Sequence, residues 1–185
     1  MPPLLVALTA APSPPGAIIA MAASIAIAAV LIRGQRRPIA ADAPVIGAYM
    51  ARHALIPDLV LVSTAERTRQ TWERVATALT TPPRVAYEER LYNAGAEAII
   101  ALVKGTAAMV RTLLVVGHNP GLHEAARRLI ASGDVETRER LNEGLPTSGL
   151  AVIDFAGKDW RKLHPRGGRL ERFVSPRSLA EADRV

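Results

Sequence analysis

The sequence predicts an α/β fold, a three-layer α/β/α sandwich with a mostly parallel central sheet. Two short apolar runs, LVLV at residues 59–62 and TLLVV at residues 112–116, are typical of strands buried on both faces. Segments with apolar residues at helical spacing alternate with such runs, and the connections between them are short. This alternation is typical of a parallel sheet that is covered by helices on both of its faces.

The elements of the sandwich follow one another from residue 38 onward. The first predicted helix spans residues 42–55, with Asp42 as its cap and Pro44 in its first turn. Further helices are predicted at residues 66–79, 96–103 and 122–131. Strands are predicted at residues 59–62, 84–87, 112–116, 149–155 and 169–174. Ligands of such folds bind beyond the carboxyl ends of the strands, so the loops after Val62 and Val116 are the predicted places for chemistry.

Composition narrows the classes of function. The chain of 185 residues contains no cysteine, which excludes disulfides, thiolate metal sites and a cysteine nucleophile. Its net charge of +6 favours anionic partners such as phosphorylated substrates, nucleic acid or anionic lipid. The basic residues near the carboxyl terminus are not interleaved with aromatic residues and belong to no nucleic-acid motif, so we expect a solvated basic face and no nucleic-acid partner.

Residues 1–37 differ from the predicted domain at residues 38–185. No charged side chain occurs before Arg33, and residues 16–32 read GAIIAMAASIAIAAVLI. Three interpretations stay open: a short membrane-spanning helix followed by cytoplasmic arginines, a buried strand at residues 4–8 followed by an alanine-rich helix, or a segment produced by a reading-frame slip. The first would anchor a cytoplasmic domain at the inner membrane, whereas the others leave a cytoplasmic protein.

Two loops carry candidate site residues. The first predicted buried strand is followed by Ser63-Thr64-Ala65 and a helix whose first turn contains Arg67. The amino end of a helix favours a bound anion, and a guanidinium grips phosphate through two parallel hydrogen bonds. The second buried strand is followed by Gly117-His118-Asn119-Pro120-Gly121. A histidine at this position can act on a phosphoryl group as nucleophile, proton carrier or charge stabiliser.

Five segments, in order and across about three quarters of the chain, resemble the small bacterial phosphohistidine phosphatases of the histidine phosphatase superfamily, a phosphoglycerate mutase-like group. These segments read VLVSTAERTRQTWE, RLYNAG, LLVVGHNPGLHEAARRL, LPTSGLAVIDF and GGRLERFVSPRSL. The resemblance implies that Arg67 binds phosphate and that His118 is the second active-site histidine, with Ser63 and Asn119 as further substrate-binding residues. Glu88 and Glu89 precede RLYNAG, and Glu89 is the candidate acid, although both could equally be surface carboxylates.

The chain departs from the family at its beginning. The family opens with a strand that ends in Arg-His, and this histidine becomes transiently phosphorylated without a metal or other cofactor. The position comparable to that pair would follow LLVAL, where this chain reads Thr9-Ala10. The pair Arg52-His53 lies near the end of a predicted helix, so we expect it to be non-catalytic. Thr64, where the family usually has proline, is a mild change.

The resemblance therefore implies a metal-independent, phosphohistidine phosphatase-like hydrolase whose activity is impaired because the nucleophile is absent. Its substrate would be a phosphorylated protein or a phosphorylated small molecule. The alternative is a non-catalytic phosphate-binding or regulatory module, held at a membrane by residues 16–32.

Overall fold

One seven-stranded sheet forms the centre of the protein, in a computed structural model that describes residues 23–29, 39–157 and 159–182. The strands are β1 (Ala23–Ala29), β2 (Leu59–Ser63), β3 (Arg84–Glu88), β4 (Thr112–Gly117), β5 (Ile130–Gly133), β6 (Gly149–Phe155) and β7 (Gly168–Val174). The helices are α1 (Ile39–Arg52), α2 (Glu66–Ala76), α3 (Ala96–Lys104), α4 (Gly121–Leu129), α5 (Val135–Glu143) and α6 (Pro176–Ala182). Two short 3-10 helices lie at Glu89–Leu91 and Trp160–Lys162.

The sheet is mostly parallel, as the sequence predicts. The strand order is β3-β2-β4-β1-β6-β7-β5. Four neighbouring pairs are parallel, and β6 runs antiparallel to both of its neighbours, β1 and β7. The carboxyl ends of β1, β2, β3 and β4 therefore meet at one edge, where β6 begins, and we call this the carboxyl edge.

Helices cover both faces of the sheet, which confirms the three-layer sandwich. Alternate strand residues point to opposite faces, so Val60, Leu114 and Val152 pack with α1 and α2 while Leu113 and Ile153 pack with α3 and α4. The strands are apolar at successive positions because both of their faces are buried. A core on each side of the sheet thus holds the carboxyl edge in place.

The first strand lies inside the alanine-rich run. Residues 23–29 form β1, which pairs in parallel with β4 and antiparallel with β6 in the middle of the sheet. A helix over these seven residues, required by both the membrane interpretation and the buried-helix interpretation, is therefore incorrect. The sheet also extends across the boundary predicted between residues 37 and 38. The strand predicted at residues 4–8 lies outside the described residues.

Several predicted bounds need correction. Helix α1 begins at Ile39, so Asp42 lies in its first turn and Pro44 inside it, and Asp42 is not the cap. The helix predicted at residues 122–131 ends at Leu129, where the chain enters β5. Helices α5 and α6 and strand β5 were not predicted. Among the described residues, no helix is both long enough and apolar enough to cross a membrane.

Candidate functional site

The two predicted loops meet at the carboxyl edge because β2 and β4 are neighbours. Val62 pairs with Val116 in the parallel register, so Ser63 and the turn after Gly117 lie side by side. His118 is 3% exposed and Ser63 is fully buried. The structure thus brings together residues that are 55 positions apart in the chain.

Both ring nitrogens of His118 have defined partners. Nε2 lies 2.8 Å from the Ser63 hydroxyl oxygen, Oγ. The Arg67 guanidinium donates to Nδ1, with Nη2 at 2.8 Å and Nε at 3.3 Å. Because an arginine can only donate, Nδ1 must accept, and the single proton of a neutral imidazole then sits on Nε2 and is donated to Ser63. The surroundings therefore select one tautomer.

The same surroundings hold His118 neutral. Burial removes water that would stabilise an imidazolium, and this lowers the pKa of His118 below its ordinary value of 6.5. The positive charge of Arg67 is the second cause and lowers the pKa further. Nδ1 is the basic nitrogen of this tautomer, and its lone pair is engaged by the guanidinium of Arg67.

The turn between β2 and α2 is built to present Arg67. The hydroxyl of Thr68, itself fully buried, donates to the carbonyls of Ser63 at 2.8 Å and of Ala65 at 2.7 Å. These bonds tie the first turn of α2 to the end of β2. Arg67 is consequently the second residue of the helix, and its exposed side chain folds back over the strand end onto His118.

The loop after β4 packs against two other loops. The Asn119 side-chain amide donates to the carbonyl of Leu145, in the loop that leads into β6. A Cβ placed on Gly121 would lie 1.8 Å from the carbonyl oxygen of Ala94, so only glycine fits this contact. Asn119 thus braces the loop, and its role as a substrate-binding residue stays a prediction.

Two further residues at this edge were not singled out from the sequence. The Tyr92 ring meets the His118 ring edge-on, with centroids 5.8 Å apart. Ser148 precedes β6, is 2% exposed, and has a hydroxyl without a hydrogen-bond partner among the described residues. Both lie in the segments RLYNAG and LPTSGLAVIDF, and their position in these segments is the only signal by which they could have been found.

The two candidate acids differ in their surroundings. Glu88 ends β3 and pairs with Ser63 in the parallel register, so its backbone lies at the carboxyl edge. Its carboxylate lies 2.7 Å from Arg90, and this hydrogen bond holds the pKa of Glu88 below its usual range. Glu89 is exposed and begins the 3-10 helix at Glu89–Leu91. The acid role of Glu89 stays a prediction.

The structure places a strand at residues 23–29, and this changes where the missing nucleophile is expected. Ala29 ends β1 and pairs with Gly117, the residue before His118. We therefore expect the family's Arg-His to correspond to Val30-Leu31, which follow Ala29 in the sequence, whereas Thr9-Ala10 lies outside the described residues. Neither a valine nor a leucine side chain can attack phosphorus.

The pair Arg52-His53 lies far from this site. It ends α1 and leads into the turn before β2, so it lies at the opposite edge of the sheet from Ser63. His53 is exposed and packs against the Tyr49 ring, with centroids 4.2 Å apart.

The other two histidines have their own contacts. His123 bonds to the carbonyl of Leu141, and His164 to that of Pro165. In the part of the chain that the structure describes, no three His, Asp or Glu side chains are grouped so that they could hold a metal ion.

The chain has clear relatives in mycobacteria. It is 38% identical over 138 residues to an uncharacterised protein of Mycobacterium tuberculosis, covering 74% of this chain and 84% of the relative. It is 33% identical over 137 residues to an uncharacterised protein of Mycobacterium leprae, covering 74% of this chain and 82% of the relative. No protein-family model matches the chain.

Solved structures share the fold. A candidate phosphohistidine phosphatase SixA from Nakamurella multipartitia superposes with a TM-score of 0.70 at 25% identity, covering 84% of this chain and 96% of that one. A candidate phosphohistidine phosphatase SixA from Agrobacterium tumefaciens superposes with a TM-score of 0.65 at 26% identity, covering 83% of this chain and 98% of that one.

Proposed function

This chain belongs to the histidine phosphatase superfamily, and we propose that it binds a phosphoryl group between Arg67 and His118 as a phosphohistidine phosphatase-like protein with impaired turnover. The observation that carries the proposal is the contact of the Arg67 guanidinium with Nδ1 of the buried His118 at the carboxyl edge. The substrate would be a phosphorylated protein or small molecule.

The chemistry of the pair suits a phosphoryl group. A guanidinium offers two parallel donors that match two phosphoryl oxygens. An arriving dianion would draw the Arg67 guanidinium from Nδ1 to the phosphoryl oxygens. The freed Nδ1 would then take up a proton from water, because a nearby negative charge favours the imidazolium. The ring would then donate to a phosphoryl oxygen from Nδ1 while Nε2 continues to donate to Ser63.

Turnover requires a nucleophile in line with the leaving group, and the sequence after Ala29 does not supply one. His118 would already occupy a supporting position on the phosphoryl oxygens. We therefore expect slow hydrolysis and no phosphorylated form of His118. The second candidate function, a non-catalytic phosphate-binding module, is favoured by the same feature of the sequence, the lack of a nucleophile in Val30-Leu31 after Ala29.

Sulfate binding tests the pocket. Sulfate would be titrated into the full chain, with the NMR signals of the His118 ring as a local readout. Arg67→Ala should weaken binding by about 10- to 150-fold, the equivalent of the 1.5–3 kcal/mol typical of a charge-assisted hydrogen bond.

Arg69→Ala is the matched control for this titration. Arg69 lies two residues further along α2 and contacts the Tyr87 ring at 5.2 Å, so the variant loses the same charge outside the pocket. Its dissociation constant should change less than about twofold at physiological salt, where exposed charges are screened. An unchanged constant in a folded Arg67→Ala variant would contradict the assignment.

A rescue experiment separates impaired phosphatase from binding module. The double substitution Val30→Arg with Leu31→His restores the missing pair next to β1. Hydrolysis of a phosphohistidine peptide should rise on the order of 100-fold or more, because nucleophile and base act as a unit. Arg67→Ala added to this variant should abolish the gain. Strong turnover by the unmodified chain, lost in His53→Ala, would overturn the location of the site.

A further inference from the structure

A basic cavity lies away from the carboxyl edge, between α4, α5 and the turn before β7. Its volume is about 640 Å³, within the size range of small-molecule sites. Four arginines line it: Arg127 and Arg128 from the last turn of α4, Arg138 from α5, and Arg166 from the turn. At about 1.5 Å per residue, Arg128 lies roughly 10 Å along the helix axis from the residue that begins α4 beside the candidate site.

The positive charge of this cavity is poorly compensated within the chain. Glu124 is the one acidic residue in its lining. Among the described residues, Arg128 alone of the four arginines has a carboxylate within ion-pair distance, that of Glu97 at 3.0 Å, and this glutamate is 88% exposed. Such an exposed pair is weak. The charge of Asp134, which caps the amino end of α5, acts on Arg138 at longer range. With four arginines and one glutamate, the lining of the cavity is net positive.

A backbone hydrogen bond joins two of the segments that carry these arginines. The backbone N–H of Arg166 donates to the carbonyl of Arg128 at 2.8 Å, which ties the turn to the end of α4. Arg166 has a φ of +56°, in the left-handed region that non-glycine residues adopt rarely. The end of α4 and the turn before β7 are thus joined by their backbones, and both segments carry an arginine into the lining of the cavity.

One arginine of the lining, Arg138, has a side-chain donor without a partner in the described part of the chain. Its Nε atom is buried and has no hydrogen-bond partner among the described residues. A buried charged donor without an acceptor is costly, and such a group in a folded protein requires an explanation. The Arg138 side chain also lines the cavity, so an anion bound there would lie close to its positive charge.

We propose that this cavity binds a small molecule that carries two or more linked phosphate groups. Guanidiniums recognise phosphate through paired hydrogen bonds, and several arginines around 640 Å³ match an extended polyanion better than a single phosphate. The site is distinct from the pocket of Arg67 and His118 and does not depend on the function proposed for that pocket.

Inorganic tripolyphosphate is the probe, and calorimetric titration is the measurement. The Arg67→Ala chain serves as the parent, because this substitution weakens anion binding at the other candidate site. Tripolyphosphate should bind this parent with one molecule per chain and more tightly than sulfate. Adding Arg138→Ala should weaken binding by about tenfold or more, the loss of one charge-assisted hydrogen bond. Arg127→Ala should weaken tripolyphosphate binding to a similar degree. Arg127 is exposed on α4, so this variant changes no buried side chain.

Arg84→Ala is the matched control. Arg84 is exposed on β3, at the other end of the sheet from β5, so this variant loses one positive charge far from the cavity. Its affinity for tripolyphosphate should stay within about twofold of the parent at physiological salt. Absence of binding by the folded Arg67→Ala parent would overturn the proposal, as would equal losses in the Arg84→Ala and Arg127→Ala variants.

Discussion

Replacement of Ser63 by alanine tests the hydrogen bond that orients His118. The Ser63 hydroxyl is fully buried and lies 2.8 Å from Nε2 of His118. Alanine keeps Cβ and removes only the oxygen, so the packing of β2 should change little. The Nε2 proton of a ring that is 3% exposed would then lack an acceptor.

The expected cost is that of leaving a buried donor unpaired, about 1–3 kcal/mol in the free energy of unfolding at pH 7.5. For a chain of this size, a loss of about 2 kcal/mol lowers the melting temperature by about 4–8 °C. The assay is urea unfolding followed by circular dichroism, with the slope compared between variants so that a change in the unfolded state is detected.

Two comparisons decide whether the hydrogen bond causes the loss. Thr64→Ala changes the exposed neighbouring residue and should stay within about 0.5 kcal/mol of the parent. In a His118→Leu background, where no ring N–H remains, Ser63→Ala should be nearly neutral or stabilising. An equal loss in both backgrounds would refute the bond between Ser63 and His118.

Two further predictions concern the same edge of the sheet. Folding lowers the pKa of His118 below 6.5, so the unfolded chain binds more protons than the folded chain near this pH. The free energy of unfolding should therefore be highest above pH 6.5. It should decrease as the pH falls from 6.5 toward the lower pKa of the folded state. The difference in unfolding free energy between pH 7.5 and pH 5.5 should be smaller in His118→Asn than in the parent chain and unchanged in His164→Gln. A difference in His118→Asn as large as in the parent would contradict the pKa shift. Gly121→Ala should cost about 3 kcal/mol or more in unfolding free energy, because its Cβ would lie 1.8 Å from the Ala94 carbonyl oxygen. Gly95→Ala, where a Cβ meets no atom within 4 Å, should cost less than about 1 kcal/mol, and similar losses in the two glycine variants would show that the contact is not tight.

Local sequence was sufficient for the elements whose burial is uniform. Strands buried on both faces must be apolar at successive positions, and this is why the runs at residues 59–62 and 112–116 predicted β2 and β4 to within one residue. The order of elements then implied a parallel sheet, and the parallel sheet implied that Arg67 and His118 lie at one edge.

Local sequence was insufficient where side chains are small or burial is slight. Alanine fits a buried helix as well as a membrane span, so the sequence did not predict a strand within residues 16–32. The strand at residues 23–29 depends on pairing with β4 and β6, which lie far away in the chain. Helix α5 buries Leu141 alone and therefore has no apolar stripe. Strand β5 has four residues, too few for a period to be recognised.

The sequence by itself thus determined the fold class, the family resemblance and the two loops in which the candidate site lies. The tertiary structure decided that Nε2 of His118 faces Ser63 and Nδ1 faces Arg67, that burial and Arg67 lower the pKa of this ring, and that residues 23–29 form the strand beside β4. The physical reason is that tautomer, desolvation and charge proximity depend on distances between residues far apart in the chain. These distances exist only once the sheet has formed.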